Sequence, residues 1–230
     1  LQRELKKYFT LGVSIDCVVF GFDGGELKVL LIERSEEPFN GMWALPGNLL
    51  DPQEDLNPSV NKVLFELTGL SDLYFEQVET FGEVKRHPFG RVLTVSYYTL
   101  VKISDYKLNP SSFAAEAKWF EISKVKKLAF DHNMILNSCF TRLQKSVRIK
   151  PIGFELLPPL FTLSELQALY ESILGFELDK RNFRKKILQM HFLNDTGNLQ
   201  ENVSHRPAKL YEFDEKKYND LKNNGFNFEL

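Results

Sequence analysis

The run from Leu27 to Leu70 constrains the fold of this 230-residue chain more than any other stretch. It opens on LKVLLIER, an apolar strand ending in Arg34, followed by Glu36-Glu37-Pro38-Phe39. The string Gly41-Met42-Trp43-Ala44-Leu45-Pro46-Gly47 comes next and leads into GNLLDPQEDLNPSVNKVLFELTGL, Gly47–Leu70. Val60, Val63, Leu64 and Leu67 recur at helical spacing, which predicts an amphipathic helix. Asn57 is the expected cap, with Pro58 in the first turn and Gly69 as the stop.

This stretch resembles a Nudix box that has lost most of its acidic residues. The family's box reads G-x5-E-x7-R-E-U-x-E-E-x-G-U, with U aliphatic. Gly69 and Leu70 match its closing G-U, Leu64 the middle U and Glu54 the early Glu. Lys62 stands for the Arg, and Glu66 fills the first position of the E-E pair. Val63 and Leu67 occupy the other two acidic positions, and one residue is inserted between Gly47 and Glu54. The family clusters carboxylates on one helical face to hold a hard divalent cation, which needs oxygen ligands and readies a water for attack. Val and Leu supply none. The expectation is therefore a non-enzyme with no catalytic residue, Glu54 and Glu66 being vestigial, and with no metal and no cofactor.

Net charge is −2, which gives no global sign of nucleic-acid binding. Residues 180–209, however, hold seven basic side chains against two acidic ones. Cys17 and Cys139 lie in apolar runs without C-x-x-C spacing, which fits buried free thiols in a reducing cytoplasm. No apolar run reaches membrane-spanning length, and no signal-peptide pattern appears at the start. The expected location is the cytoplasm.

Residues 13–22 read as a buried strand, 23–25 as a hairpin turn and 26–32 as the return strand. Strand patterns follow at 73–84, 92–103 and 117–120, and a helix at 129–145. This order suits a mixed sheet packed between helices. A boundary falls near 145–161, punctuated by Pro151, Gly153, Pro158 and Pro159. Beyond it, Thr162 caps a helix with Glu165 three residues on, Gly175 ends it, and Asp179 caps a second helix reaching about Met190. A hairpin follows, with a turn expected at 194–197 and a return strand at 208–213. Helix, short turn, helix, hairpin is the order of a winged helix-turn-helix.

The second helix opens Asp179-Lys180-Arg181-Asn182-Phe183-Arg184-Lys185-Lys186. Phe183, Ile187 and Met190 are spaced to face a core, leaving the basic residues outward. Such a helix enters a major groove with its N-terminal residues at the base edges. Arg pairs with guanine and Asn with adenine, while Lys suits phosphates. Basic runs are commonly solvated helix faces, but basic residues here oppose the helix dipole, a local conflict of the kind found at functional sites. The expected DNA-binding residues are Lys180, Arg181, Asn182, Arg184 and Lys185, with His205, Arg206 and Lys209 in the wing.

Both halves together resemble the Nudix-related transcriptional regulators of the NrtR type. The specific strings are Leu128-Ala129-Phe130-Asp131-His132, Pro151–Pro158, Phe161–Leu163 with Glu165–Gln167, Leu178-Asp179 with Arg181–Lys186, and Arg206-Pro207-Ala208. The resemblance implies an α+β chain: a Nudix-like α/β/α sandwich over 1–147 and a winged helix-turn-helix over 148–230. It also implies a homodimer that binds double-stranded operator DNA and responds to a small-molecule effector. The loss of box carboxylates leans toward an uncharged sugar such as L-arabinose, as in the AraR-like branch. An ADP-ribose or NAD metabolite is the alternative, with Arg34, Lys85, Arg86 and Arg91 available to a phosphate, and a residual Mg²⁺-dependent hydrolase is another. From the fold resemblance, the effector-binding candidates are Trp43, Asn48, Glu83, Arg86 and Tyr97.

Overall fold

The computed structural model describes residues 10–229, save Gly24, Asn202 and His205. By internal contacts the chain divides into two compact units. One comprises the residues up to Gly21 with Lys28–Arg142, and the other Phe22–Leu27 with the segment from Leu143 onward. No described helix is long and apolar enough to cross a membrane.

The first unit is built on a seven-stranded sheet. Its strands are β1 (Gly12–Asp23), β2 (Glu26–Arg34), β3 (Trp43–Ala44), β4 (Gly47–Leu49), β5 (Glu76–Phe81), β6 (Val92–Lys102) and β7 (Ala114–Glu121). The order is β3-β2-β1-β6-β5, with β4 on β1 and β7 on β2. β1 is central, which explains its almost unbroken apolar run: both faces are covered. β2 and β7 run antiparallel, Val29 opposite Phe120. Helix α1 (Leu56–Thr68) buries Val60, Val63, Leu64 and Leu67 against Cys17, Val95 and Tyr97 of the sheet. Helix α2 spans His132–Ile149.

Some boundaries differ from the sequence reading. The cap of α1 is Asp55, and Asn57 lies inside the helix. Glu76–Phe81 is shorter than the predicted 73–84, and α2 starts and ends later than 129–145. Phe130, just before α2, has φ 51°, which no α-helical residue adopts.

The second unit holds α3 (Leu163–Leu174), α4 (Lys180–Gln189), the hairpin β8 (Leu193–Leu199) and β9 (Lys209–Phe213), and α5 (Glu215–Asn223). The capping box of Thr162 and Glu165 forms with both hydrogen bonds, and Gly175 closes α3 in the left-handed conformation. Glu171 accepts from the backbone N–H of Leu178 and from Gln167, whose amide also donates to the Leu178 carbonyl. These bonds fix the turn between α3 and α4. Phe161 bridges to Tyr211, extending the hairpin to a third strand segment. The core is aromatic, Phe154, Phe161, Phe192, Phe213 and Tyr218 meeting at ring distances of 4.5–6.1 Å. Residues 194–197 are strand, not turn: β8 runs through them with a register shift before Leu199, and Gly197 takes φ 74°.

Candidate functional site

The first unit contains an open cavity of about 250 Å³. Its chemistry centres on Asp16, a buried carboxylate in the largely apolar β1. Thr94 donates to Asp16 Oδ2 and itself accepts from Ser14 at 2.6 Å. The Leu45 N–H donates to His132 Nδ1 at 2.9 Å, so the ring proton sits on Nε2, 3.4 Å from Asp16 Oδ1. Burial holds the His132 pKa below its usual value, outweighing the attraction of Asp16 and Asp131. The Arg86 guanidinium clamps Asp131 with Nε at 2.8 Å and Nη2 at 2.7 Å, and Nη2 lies 3.8 Å from Asp16. One buried carboxylate, Asp16, and one partly buried, Asp131, thus face a single arginine.

The wall beside this network is aromatic. Phe130 stacks between His87 and His132 at 5.3 and 5.2 Å. Arg34 lies over the rings of Phe113 and Phe130, 5.2 Å from each centroid. Burial lowers the pKa of His87, with Arg86 and Arg34 adding to the shift. Glu36 and Glu37 stand exposed at the rim. The string 128–132 therefore has a physical role: Phe130 packs on Arg34, Asp131 holds Arg86, and His132 ties Asp16 to Leu45.

Gly47, the opening residue of the box, pairs with Asp16 across β1 and β4. A Cβ there would stand 2.1 Å from Asp16 Oδ1 and 2.6 Å from the Ile15 carbonyl oxygen. Gly47→Ala is expected to destabilise the protein by roughly 1–3 kcal/mol through this overpacking. Thermal melting should show a fall of several degrees (about 2–4 °C per kcal/mol in chains this long), and an unchanged melting temperature would disprove the close approach.

Of the effector candidates, Asn48 and Arg86 line the cavity. The structure places the other three elsewhere. Trp43 packs edge-on against Phe120 at 4.6 Å. Tyr97 points into the core under α1, its hydroxyl buried without a partner. Glu83 is exposed, and its carbonyl accepts from Arg86 N. Asp16 was not singled out from sequence, and Asp131 and His132 entered only within the string 128–132, without a role. A lone carboxylate inside an apolar strand was the available signal for Asp16, since a buried charge requires a partner.

The box helix does not offer the donor set a hard cation needs. Val63 and Leu67 are core residues, 7% and 1% exposed. The Glu54 carboxylate is engaged by Lys62 at 2.5 Å and Ser59 at 3.0 Å, which lowers its pKa. Glu66 is half-buried near the C-terminal end of α1. Among the described residues no group of three or more His, Cys, Asp or Glu side chains is placed to hold a metal.

In the second unit, α4 begins at Asp179, whose carboxylate accepts from the Asn182 N–H. Phe183 and Ile187 are buried, while Lys180, Arg181, Asn182 and Lys185 are exposed. Arg184 is half-buried and donates to Ser164 Oγ at 2.8 Å, tying α4 to the first turn of α3. In the wing, Lys209 pairs with Asp195 at 2.6 Å across the hairpin, and Arg206 is exposed. His205 lies outside the described residues.

Comparison with known proteins matches both halves. Residues 10–139 match the NUDIX domain family, and residues 153–213 the NrtR DNA-binding winged helix domain. The chain is 36% identical over 216 residues to the ADPR responsive transcriptional repressor NtrR of Acinetobacter baylyi, covering 92% of this chain and 86% of the relative. The crystal structure of Shewanella oneidensis NrtR complexed with a 27mer DNA superposes with a TM-score of 0.74 at 30% identity, covering 94% of this chain and 97% of that one. The NUDIX domain of the same Shewanella protein, crystallised with ADP ribose, is 31% identical with a TM-score of 0.55, covering 62% of this chain and 99% of that one. A Nudix fold with a degenerate box, followed by a winged helix with a basic second helix and matched along nearly its whole length, places the chain in the NrtR-type family of Nudix-related transcriptional regulators.

Proposed function

We propose that this chain is an ADP-ribose-responsive transcriptional repressor. Residues 1–147 form the sensing domain and 148–230 the DNA-binding domain. It acts in the cytoplasm as a homodimer on a two-fold symmetric operator. Lys180, Arg181, Asn182 and Lys185 contact DNA from α4, Arg184 holds that helix in place, and His205, Arg206 and Lys209 contribute from the wing. The observation that carries the effector assignment is the chemistry of the cavity. Guanidinium groups, aromatic rings and rim carboxylates converge there, which suits diphosphate, nucleobase and ribose hydroxyls respectively. The ADP-ribose response of the Acinetobacter relative and the bound ligand of the Shewanella domain point the same way.

The sugar-responsive reading is not supported. The relatives named above concern ADP-ribose, and Trp43 and Tyr97, the aromatic effector candidates, do not line the cavity. The box helix likewise offers little to a hydrolase, so the ligand is sensed and not cleaved.

The test is fluorescence anisotropy with labelled DNA from upstream of the protein's own gene neighbourhood. ADP-ribose should weaken operator binding by about 5- to 150-fold, the usual range of coupling, while L-arabinose should have no effect. ADP-ribose incubated with the protein and Mg²⁺ should be recovered intact. Release by L-arabinose and not by ADP-ribose would overturn the assignment.

A further inference from the structure

We propose that Arg34 is the anion grip of the cavity and that ligand binding there needs no divalent cation. This rests on the reading that the effector is a diphosphate such as ADP-ribose. Four side chains that can carry positive charge line the cavity: Arg34, Arg86, His87 and His132, the last tied to Leu45 through Nδ1 and set against Asp16 through Nε2. Arg86 is already committed, with Nε and Nη2 on Asp131 and Asp16 nearby. A ligand phosphate would have to break that clamp to use it. His87 is held neutral over a wider pH range by its burial and by the two arginines.

Arg34 is different. Its Nε donates to the Pro38 carbonyl at 2.8 Å, and its nearest other acceptor is the Glu36 carbonyl at 3.5 Å from Nη2. Among the described residues no carboxylate lies within ion-pair distance of it. Half-burial withdraws water from the group, yet a guanidinium stays charged. The faces of Phe113 and Phe130 hold its plane. A partly dehydrated cation, fixed in orientation and feeling Glu36, Asp16 and Glu37 only from beyond ion-pair distance, gains more from an anion than a solvated lysine does. Glu36 and Glu37 at the rim are exposed, so water screens their opposition.

The same conclusion follows from the box. In a diphosphate-cleaving site a metal ion would neutralise the phosphates. Here two of the ligand positions are the core residues Val63 and Leu67, and Glu54 is held by Lys62 and Ser59. Neutralisation passes to the guanidinium.

Isothermal titration with two probes tests this: ADP-ribose in EDTA and in Mg²⁺, and inorganic pyrophosphate in EDTA. The wild-type chain should bind ADP-ribose in EDTA, with affinity changing less than about threefold on adding Mg²⁺. Arg34→Gln should lose about 10- to 100-fold for both probes, the range for a charge-assisted contact. Arg34→Lys should fall between the two, and melting temperatures of both variants should show that they fold. More than tenfold tighter ADP-ribose binding in Mg²⁺, or wild-type affinity in folded Arg34→Gln, would overturn the proposal. Binding of pyrophosphate but not ADP-ribose by the wild type, with loss in Arg34→Gln, would overturn the effector assignment and sustain the anion grip. Binding of neither probe would overturn both.

Discussion

Arg86→Met should lower the melting temperature by on the order of 10 °C, the largest loss expected from any single substitution in the cavity. The Arg86 side chain is 4% exposed, and its carboxylate partners Asp16 and Asp131 are 7% and 14% exposed. Removing the cation strands one buried and one partly buried negative charge on one side of the cavity. Breaking a buried pair by deleting one partner costs roughly 3–5 kcal/mol, and chains of this length lose about 2–4 °C per kcal/mol. The cause can be separated from lost packing by a double-mutant cycle. Asp131→Asn alone should destabilise. In the Arg86→Met background it should be neutral or stabilising, because it removes a charge that no longer has a partner. Additive losses would show that the clamp between Arg86 and Asp131 contributes no coupling.

Arg181→Ala combined with Arg184→Ala should reduce operator binding to the level of unrelated DNA. The two arginines act differently. Arg181 is exposed near the start of α4, where a bidentate contact to guanine is worth about 1–3 kcal/mol of discrimination. Arg184 is half-buried and holds α4 to Ser164, so its loss alters the angle at which the helix is presented. Arg181→Ala alone should relax specificity at one base pair. Lys180→Ala with Lys185→Ala should instead weaken binding to all sequences and reduce the salt dependence by roughly one ion per lysine. Anisotropy titrations at several salt concentrations separate these outcomes. Ligand-induced thermal stabilisation should be retained throughout. Specific binding by the double arginine variant would mean that α4 is not the recognition helix.

What the sequence disclosed depended on how local each determinant is. The capping box of Thr162 and Glu165 and the Asp179 cap involve residues three apart, and both formed where the pattern placed them. The degenerate box was equally readable, since α1 buries the apolar stripe that its spacing announces. Trp43 and Tyr97 lie away from the cavity for a different reason. A strand sends alternate side chains to opposite faces, and only the assembled sheet decides which face borders the cavity. The cluster of Asp16, Arg86, Asp131 and His132 is the extreme case. Its partners are up to 116 positions apart in the chain, and no periodicity links them. The polar run at 194–197 reads as a turn by composition, whereas its pairing with β9 makes it strand.

Gly47 separates two kinds of information that a signature motif carries. Its lack of a side chain is required by Asp16, which is no part of the box. Leu64 and Leu70 are fully buried, and Gly69 sits at φ 82° with the Asn109 backbone 3.2 Å from where a Cβ would be. The surviving glycines and aliphatics answer to shape, and Val63 and Leu67 stand at positions that answered to charge. A search tuned to the glycines and aliphatics of such a motif therefore counts folds. To count hydrolases, the search has to weigh the acids separately.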